Sequence, residues 1–327
     1  MEPEGKICIF VDAANFFHIV LKKLSIEELD FDFDAFAAHL TRGRQICDFG
    51  KRYYVGTIRE EMGNDYSREA MSKQTKLFDV LKKTRWDIHT SKLRKRIEEI
   101  KIDGRTKEYA KLKAAGFSSI TVERYREKGV DVKLATDLLG GAFDGKYDIA
   151  ILVSSDSDLI PAIDRVRFRH NKKIEYVGFS IEDPVRPNNS TKPTQSLIGK
   201  SDIQNILLEE EVRRFVKPKL KGTIIENSLR DKNVLSRLQV DRTRKSGTWT
   251  LHEVTLRRDQ ITELRKYLID GPWYMHFWIP GRDDVVVLFQ RKIFTIKRSD
   301  KTTWAECVAY GKSIDIPEEQ LDFPITI

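Results

Sequence analysis

The chain has 327 residues, of which 33% are charged and 40% hydrophobic, and it carries a net charge of +8. That length allows two domains with substantial cores, and no run of about 18 apolar residues is present to span a membrane. The N-terminus is acidic and enters an apolar run at once, unlike a secretory signal. Cys8, Cys47 and Cys307 are odd in number and widely spaced, without CxxC or Cys/His ligand spacing, so reduced thiols in a cytoplasmic protein are expected rather than a zinc site.

In chain order, Lys6–Val11 is a short apolar run rich in Ile, Phe and Val, which reads as a buried strand. Helical spacing follows over Asn15–Leu24 and again over Asp34–Cys47. Lys51–Ile58 reads as a strand, Ser67–Lys83 as a helix and Trp86–Ser91 as a third strand. Residues 92–128 then hold twelve Lys/Arg against six Asp/Glu, a local charge of +6. A polyanionic substrate suits such a segment, although a solvated helical face gives the same pattern. Within it, Ile120–Tyr125 reads as an added strand. Val132–Phe143 is a helix, Tyr147–Val153 a strand, Leu159–His170 a helix and Lys173–Phe179 a strand.

Alternation of strand and helix through about residue 180 predicts a mainly parallel sheet flanked by helices. A loop dense in Pro, Asn and Ser follows, and then Leu197–Val216 reads as a closing helix. Lys217-Pro218-Lys219 is a hinge. Beyond it the strands become consecutive (Thr248–Val254, Trp273–Ile279, Val285–Phe289, Ile293–Lys297), with helices at Arg257–Leu268 and Lys301–Lys312. The expected organisation is therefore an α/β domain over residues 1–216 and a small α+β domain over 221–327. The second carries no motif that can be tied to chemistry. Most of its aromatic residues are expected in the core, and His252 and His276 have no companion acids at ligand spacing. An RNA-binding accessory role and a dimerisation module fit it equally.

Three acidic junctions stand out in the first domain. Asp12 ends the first strand, with Asn15 three residues on. Asp131 opens a helix that also carries Asp137. Asp156 and Asp158 follow the buried strand Ile149–Val153. In an open α/β sheet, ligands bind at the carboxyl ends of the strands. Any one of these acids alone also fits a helix cap, but converging carboxylates repel one another unless a cation or protons relieve them. Mg²⁺ or Mn²⁺ would do so while keeping positions open for phosphate oxygens.

The ordered segments Val11–Asn15, Lys128–Asp137 and Leu152–Leu159 resemble the NYN-domain (LabA-like) family of the PIN-like nuclease superfamily, over about residues 5–210. The third segment departs from the family pattern at Ser155, where Gly is usual. The resemblance implies a divalent-metal-dependent ribonuclease acting on single-stranded or structured RNA. Asp12, Asp131 and Asp156 would be the primary metal-binding acids and Asp137 and Asp158 secondary ones, with Asn15 positioning a water or phosphate oxygen. Lys128, Lys133 and Arg59, together with Ser154 and Ser155, are the candidate substrate contacts. The alternative is an inactive RNA-binding module on the same fold, and a homo-oligomer is compatible with either.

Overall fold

The computed structural model describes residues 5–58, 64–127, 129–183 and 185–324, without the side chains of 92–95 and 124–127. The chain divides into two units, Met1–Val216 and Lys217–Ile327. No helix among the described residues is long and apolar enough to cross a membrane.

The first unit begins with β1 (Ile7–Asp12), every residue of which is buried. Helix α1 (Ala13–Phe16) follows at once and widens into a π-helical turn over Phe17–Leu21. Then come α2 (Phe33–Thr41), β2 (Ile46–Thr57), α3 (Asp65–Lys83) and β3 (Trp86–Lys101). A short α4 (Tyr109–Ala114) separates β3 from β4 (Ser119–Glu127), so the basic segment forms a long antiparallel hairpin rather than a helical face. The remaining elements are α5 (Val130–Phe143), β5 (Ile149–Val153), α6 (Ile160–His170), β6 (Lys173–Ser180), α7 (Gln195–Lys200), β7 (Ile203–Leu208) and α8 (Glu209–Arg213).

The expected closing helix over 197–216 is thus corrected to helix, strand, helix. Ile203, Ile206 and Leu207 have helical spacing, but Asn205 and Leu207 turn inward while Gln204, Ile206 and Leu208 face out, which is the two-residue period of a strand. The sheet order is β4-β3-β2-β1-β5-β6-β7, parallel throughout except for β4. Alternate residues of β1 feed opposite cores. Ile7, Ile9 and Val11 pack with α1, α2 and α3, while Cys8 and Phe10 pack with Leu134 and Leu138 of α5 and with Ile163 of α6. A strand buried on both faces must be continuously apolar. The single polar residue at its end is therefore conspicuous.

The second unit is one antiparallel sheet with helices on both faces. Its elements are β8 (Leu220–Ile225), β9 (Gln239–Ser246), β10 (Trp249–Leu256), α9 (Arg258–Leu264), β11 (Tyr274–Trp278), β12 (Asp284–Phe289), β13 (Ile293–Lys297) and α10 (Ala305–Lys312), in the order β13-β12-β11-β8-β10-β9. Two strands here, β8 and β9, escaped the sequence pattern. Gly222 in β8 is required by packing, since a Cβ there would stand 2.2 Å from the Phe277 ring and 2.6 Å from the His276 carbonyl. His252 does have an acidic companion: its Nε2 lies 3.0 Å from Glu226 Oε2, which folding brings from 26 residues away.

Candidate active site

Strand β1 pairs with β2 on one side and β5 on the other, with Val11 level with Val153. From β1 the chain moves outward to β2 and β3, and from β5 it moves the opposite way to β6 and β7. The carboxyl ends of β1 and β5 therefore flank the switch point of the sheet, where α/β folds leave a ligand crevice. Asp12 closes β1 there, and Ser154, Ser155 and Asp156 follow β5.

Asp12 is 4% exposed. Its Oδ1 accepts the Asn15 backbone N–H at 3.1 Å, capping α1, and its Oδ2 accepts the Ser154 hydroxyl at 3.0 Å. Capping and a site role are thus compatible, because each carboxylate oxygen retains a lone pair. Burial pushes the Asp12 carboxyl up to about 6; the hydrogen bonds from Asn15 and Ser154 oppose this, and the charges of Asp131 and Asp156 add to it. Asp131 is also raised, first by burial and then by Asp156 and Asp158. It lies in the first turn of α5, just after Gly129, whose φ of 87° suits a residue without Cβ. Asp156 Oδ1 accepts the Asp158 N–H at 2.9 Å. Four carboxylates from three junctions therefore share one electrostatic field.

Asn15 is held with equal definition. Its Oδ1 accepts both the backbone N–H and the hydroxyl of Ser155, at 2.9 and 3.0 Å. Two donors on one atom fix the orientation of the amide, so Nδ2 is the group left for anything outside.

Several expected site residues are placed differently. Ser154 is 2% exposed, donates to Asp12 and accepts the Asp156 N–H at 3.1 Å; Ser155 spends its hydroxyl on Asn15. Both hydroxyls are thus engaged within the site, one on Asp12 and one on Asn15. Thr194 supports them in turn, its hydroxyl donating to the Ser155 carbonyl at 3.0 Å. Asp137 joins another group: its Oδ2 accepts from Arg52 Nη2 at 3.0 Å and the Tyr54 hydroxyl at 2.9 Å, with His89 Nδ1 at 3.3 Å. Arg52 reaches α5 from the neighbouring strand and answers that charge. Lys133 donates to the Thr90 carbonyl at 2.9 Å, tying α5 to β3. Arg59 and Lys128 lie outside the described residues. Sequence reasoning missed the bracing roles of Ser154 and Thr194. Ser154, beside Asp156, offered a local signal; Thr194 offered none.

Among the described residues, no three His, Cys, Asp or Glu side chains stand together as a ready metal cage. Mg²⁺ does not demand one, since it binds through one or two carboxylates and keeps several waters. Buried Asp12 with the more open Asp131 and Asp156 fits such an ion, whose charge would offset both the burial and the repulsion that raise Asp12.

The comparisons bear on this geometry. A crystal structure of a protein of unknown function from Vibrio parahaemolyticus is 20% identical to the chain, covering 63% of it and 95% of that protein, with a TM-score of 0.36. No curated protein matches the chain. The NYN domain profile matches residues 6–198, which include every acid described above. Since that span is more than half of the sequence, the chain belongs to the NYN domain family, within the PIN-like nuclease superfamily.

Proposed function

We propose that the protein is a divalent-metal-dependent ribonuclease that hydrolyses RNA phosphodiester bonds at the carboxyl ends of β1 and β5. The observation that carries this reading is the buried Asp12 at the switch point, raised to about 6 in company with Asp131 and Asp156. Carboxylates gathered so unfavourably are the form a cation site takes. Asp12, Asp131 and Asp156 would hold Mg²⁺ or Mn²⁺, with Asp158 beside them. A bound ion would lower the pKa of a water and offset charge on the phosphate. Ser154 keeps Asp12 oriented, and Ser155 turns the Asn15 amide so that its N–H donors remain for a phosphate oxygen or the attacking water.

A second reading, an idle RNA-binding module, draws on the lack of a closed three-ligand cage among the described residues. Labelled single-stranded RNA, tRNA and single-stranded DNA, incubated with Mn²⁺, Mg²⁺ or EDTA, separate the two. Cleavage that needs the metal and disappears in Asp156→Asn supports the nuclease. Equal inertness of wild type and variant, with RNA still bound, supports the module.

A further inference from the structure

Charge in the second unit is sharply divided. Residues 217–258 hold eleven Lys/Arg and four Asp/Glu, a net of +7, whereas residues 259–327 hold nine and eleven, a net of −2. The basic stretch builds one half of the sheet, β8, β10 and the edge strand β9.

Within the second unit, one face of that half packs under no core of the described residues. The core beneath α9 takes Leu220 and Ile224 of β8 with Val254 and Leu256 of β10. The core beneath α10 takes its sheet residues from β11, β12 and β13 alone. The second face of β8 and β10 therefore carries Lys221, Thr223 and Thr255, and the strand register places Arg244 opposite Leu251 and Arg242 opposite Glu253 on that same face. Along β9 only Val240 is partly covered; Arg242 and Arg244 are exposed on this face, as is Lys221 of β8. Trp249, where β10 begins, is 43% exposed and meets Trp273 edge-on at 6.3 Å. Two acids temper the patch: Glu253 lies 3.4 Å from Arg244, and Asp241 accepts the Thr255 hydroxyl at 2.5 Å.

A protein strand is a poor occupant, because a charged edge resists strand addition. Cations spaced along an open strand beside an exposed indole suit a flexible polyanion with unstacked bases. We propose that the β8–β10–β9 half is a binding platform for single-stranded polynucleotide, with Lys221, Arg242 and Arg244 on phosphates and Trp249 stacking a base. RNA as the natural occupant rests on the nuclease reading above; binding itself does not.

The test uses the full chain in EDTA, so that no cleavage intervenes. Anisotropy of fluorescein-labelled 20-nucleotide oligouridylate and oligothymidylate is followed from 50 to 200 mM KCl for wild type, Lys221→Ala/Arg242→Ala/Arg244→Ala and Trp249→Ala. The triple variant should bind at least tenfold more weakly at 100 mM salt. Its log–log salt slope should be shallower by about 2, since each phosphate contact to a single strand contributes about 0.7. Trp249→Ala should weaken binding by roughly 5- to 100-fold at an unchanged slope, as loss of stacking does. The tighter of the two oligonucleotides identifies the strand type. Failure of wild type to bind either one, or a triple variant with wild-type affinity and slope, overturns the platform. Binding lost in the triple variant while wild type cleaves nothing in Mn²⁺ upholds the platform and sinks the nuclease; cleavage by wild type with undiminished triple-variant binding does the reverse.

Discussion

Replacing Asp12 by Asn should stabilise the metal-free protein at neutral pH and not in acid. The Asp12 carboxyl rises from 3.8 to about 6 on folding, chiefly through burial. Its folded pKa lies above its unfolded one, so the folded state holds the proton more tightly. Its contribution to stability is therefore intact below pH 3.8 and lost as pH climbs through 6. Two units at 1.36 kcal/mol each make the cost about 3 kcal/mol above pH 7 and about 1 kcal/mol at pH 4.5. Asn cannot ionise and escapes this cost. Its Oδ1 keeps the Asn15 N–H, but its Nδ2 must now donate to Ser154, whose proton turns elsewhere, at about 1 kcal/mol. The net expectation is a gain of about 2 kcal/mol at pH 7.5 and none at pH 4.5. Urea unfolding of the full chain in EDTA, read by pyridyl-disulfide labelling of the buried Cys8 and identified by peptide mass, reports on this domain alone. Destabilisation at pH 7.5, or an equal effect at both pH values, would refute the reasoning.

Three further outcomes follow from the contacts. Ser155→Gly restores the residue usual at that position, keeps the backbone donor to Asn15 and loses the hydroxyl. One hydrogen bond of about 1 kcal/mol predicts a fivefold lower kcat, and an unchanged kcat, or a change confined to KM, counts against the bracing role. Arg52→Ala leaves the partly buried Asp137 with only the Tyr54 hydroxyl and His89 beside it and should cost about 2 kcal/mol by denaturant titration. Asp137→Asn should leave Mn²⁺ affinity untouched in calorimetry, and a marked loss there would return Asp137 to the metal ligands. Gly222→Ala drives a methyl into the Phe277 ring and the His276 carbonyl; overpacking against backbone predicts about 3 kcal/mol, visible as early urea exposure of Cys307, and a wild-type midpoint would show that β8 can shift.

What the sequence disclosed depended on whether the determining contact was local. Lys6–Val11 and Ile149–Val153 were legible because a strand buried on both faces has to be apolar throughout, as β1 and β5 are. An Asp ending such a run marks the end of the strand and the mouth of the crevice together. Ile203–Leu208 was misread because two apolar periods overlap over six residues, and only the neighbouring β6 selects the strand. The same holds within the site. That Asp12 and Asp156 belong together was legible from their junctions, since parallel strands of one sheet end on the same side; Asp131 instead follows the antiparallel β4, whose hairpin with β3 returns the chain to that edge. Asp137 lies nearly two turns along α5 from Asp131, and its fate turns on Arg52, 85 residues away. No spacing rule encodes that contact. An acid's type and place on its element were local information, whereas its partner was tertiary. The partner decides whether a carboxylate is left repelling its neighbours, as Asp12 is, or is neutralised in place, as Asp137 is; only the first kind has reason to hold a metal.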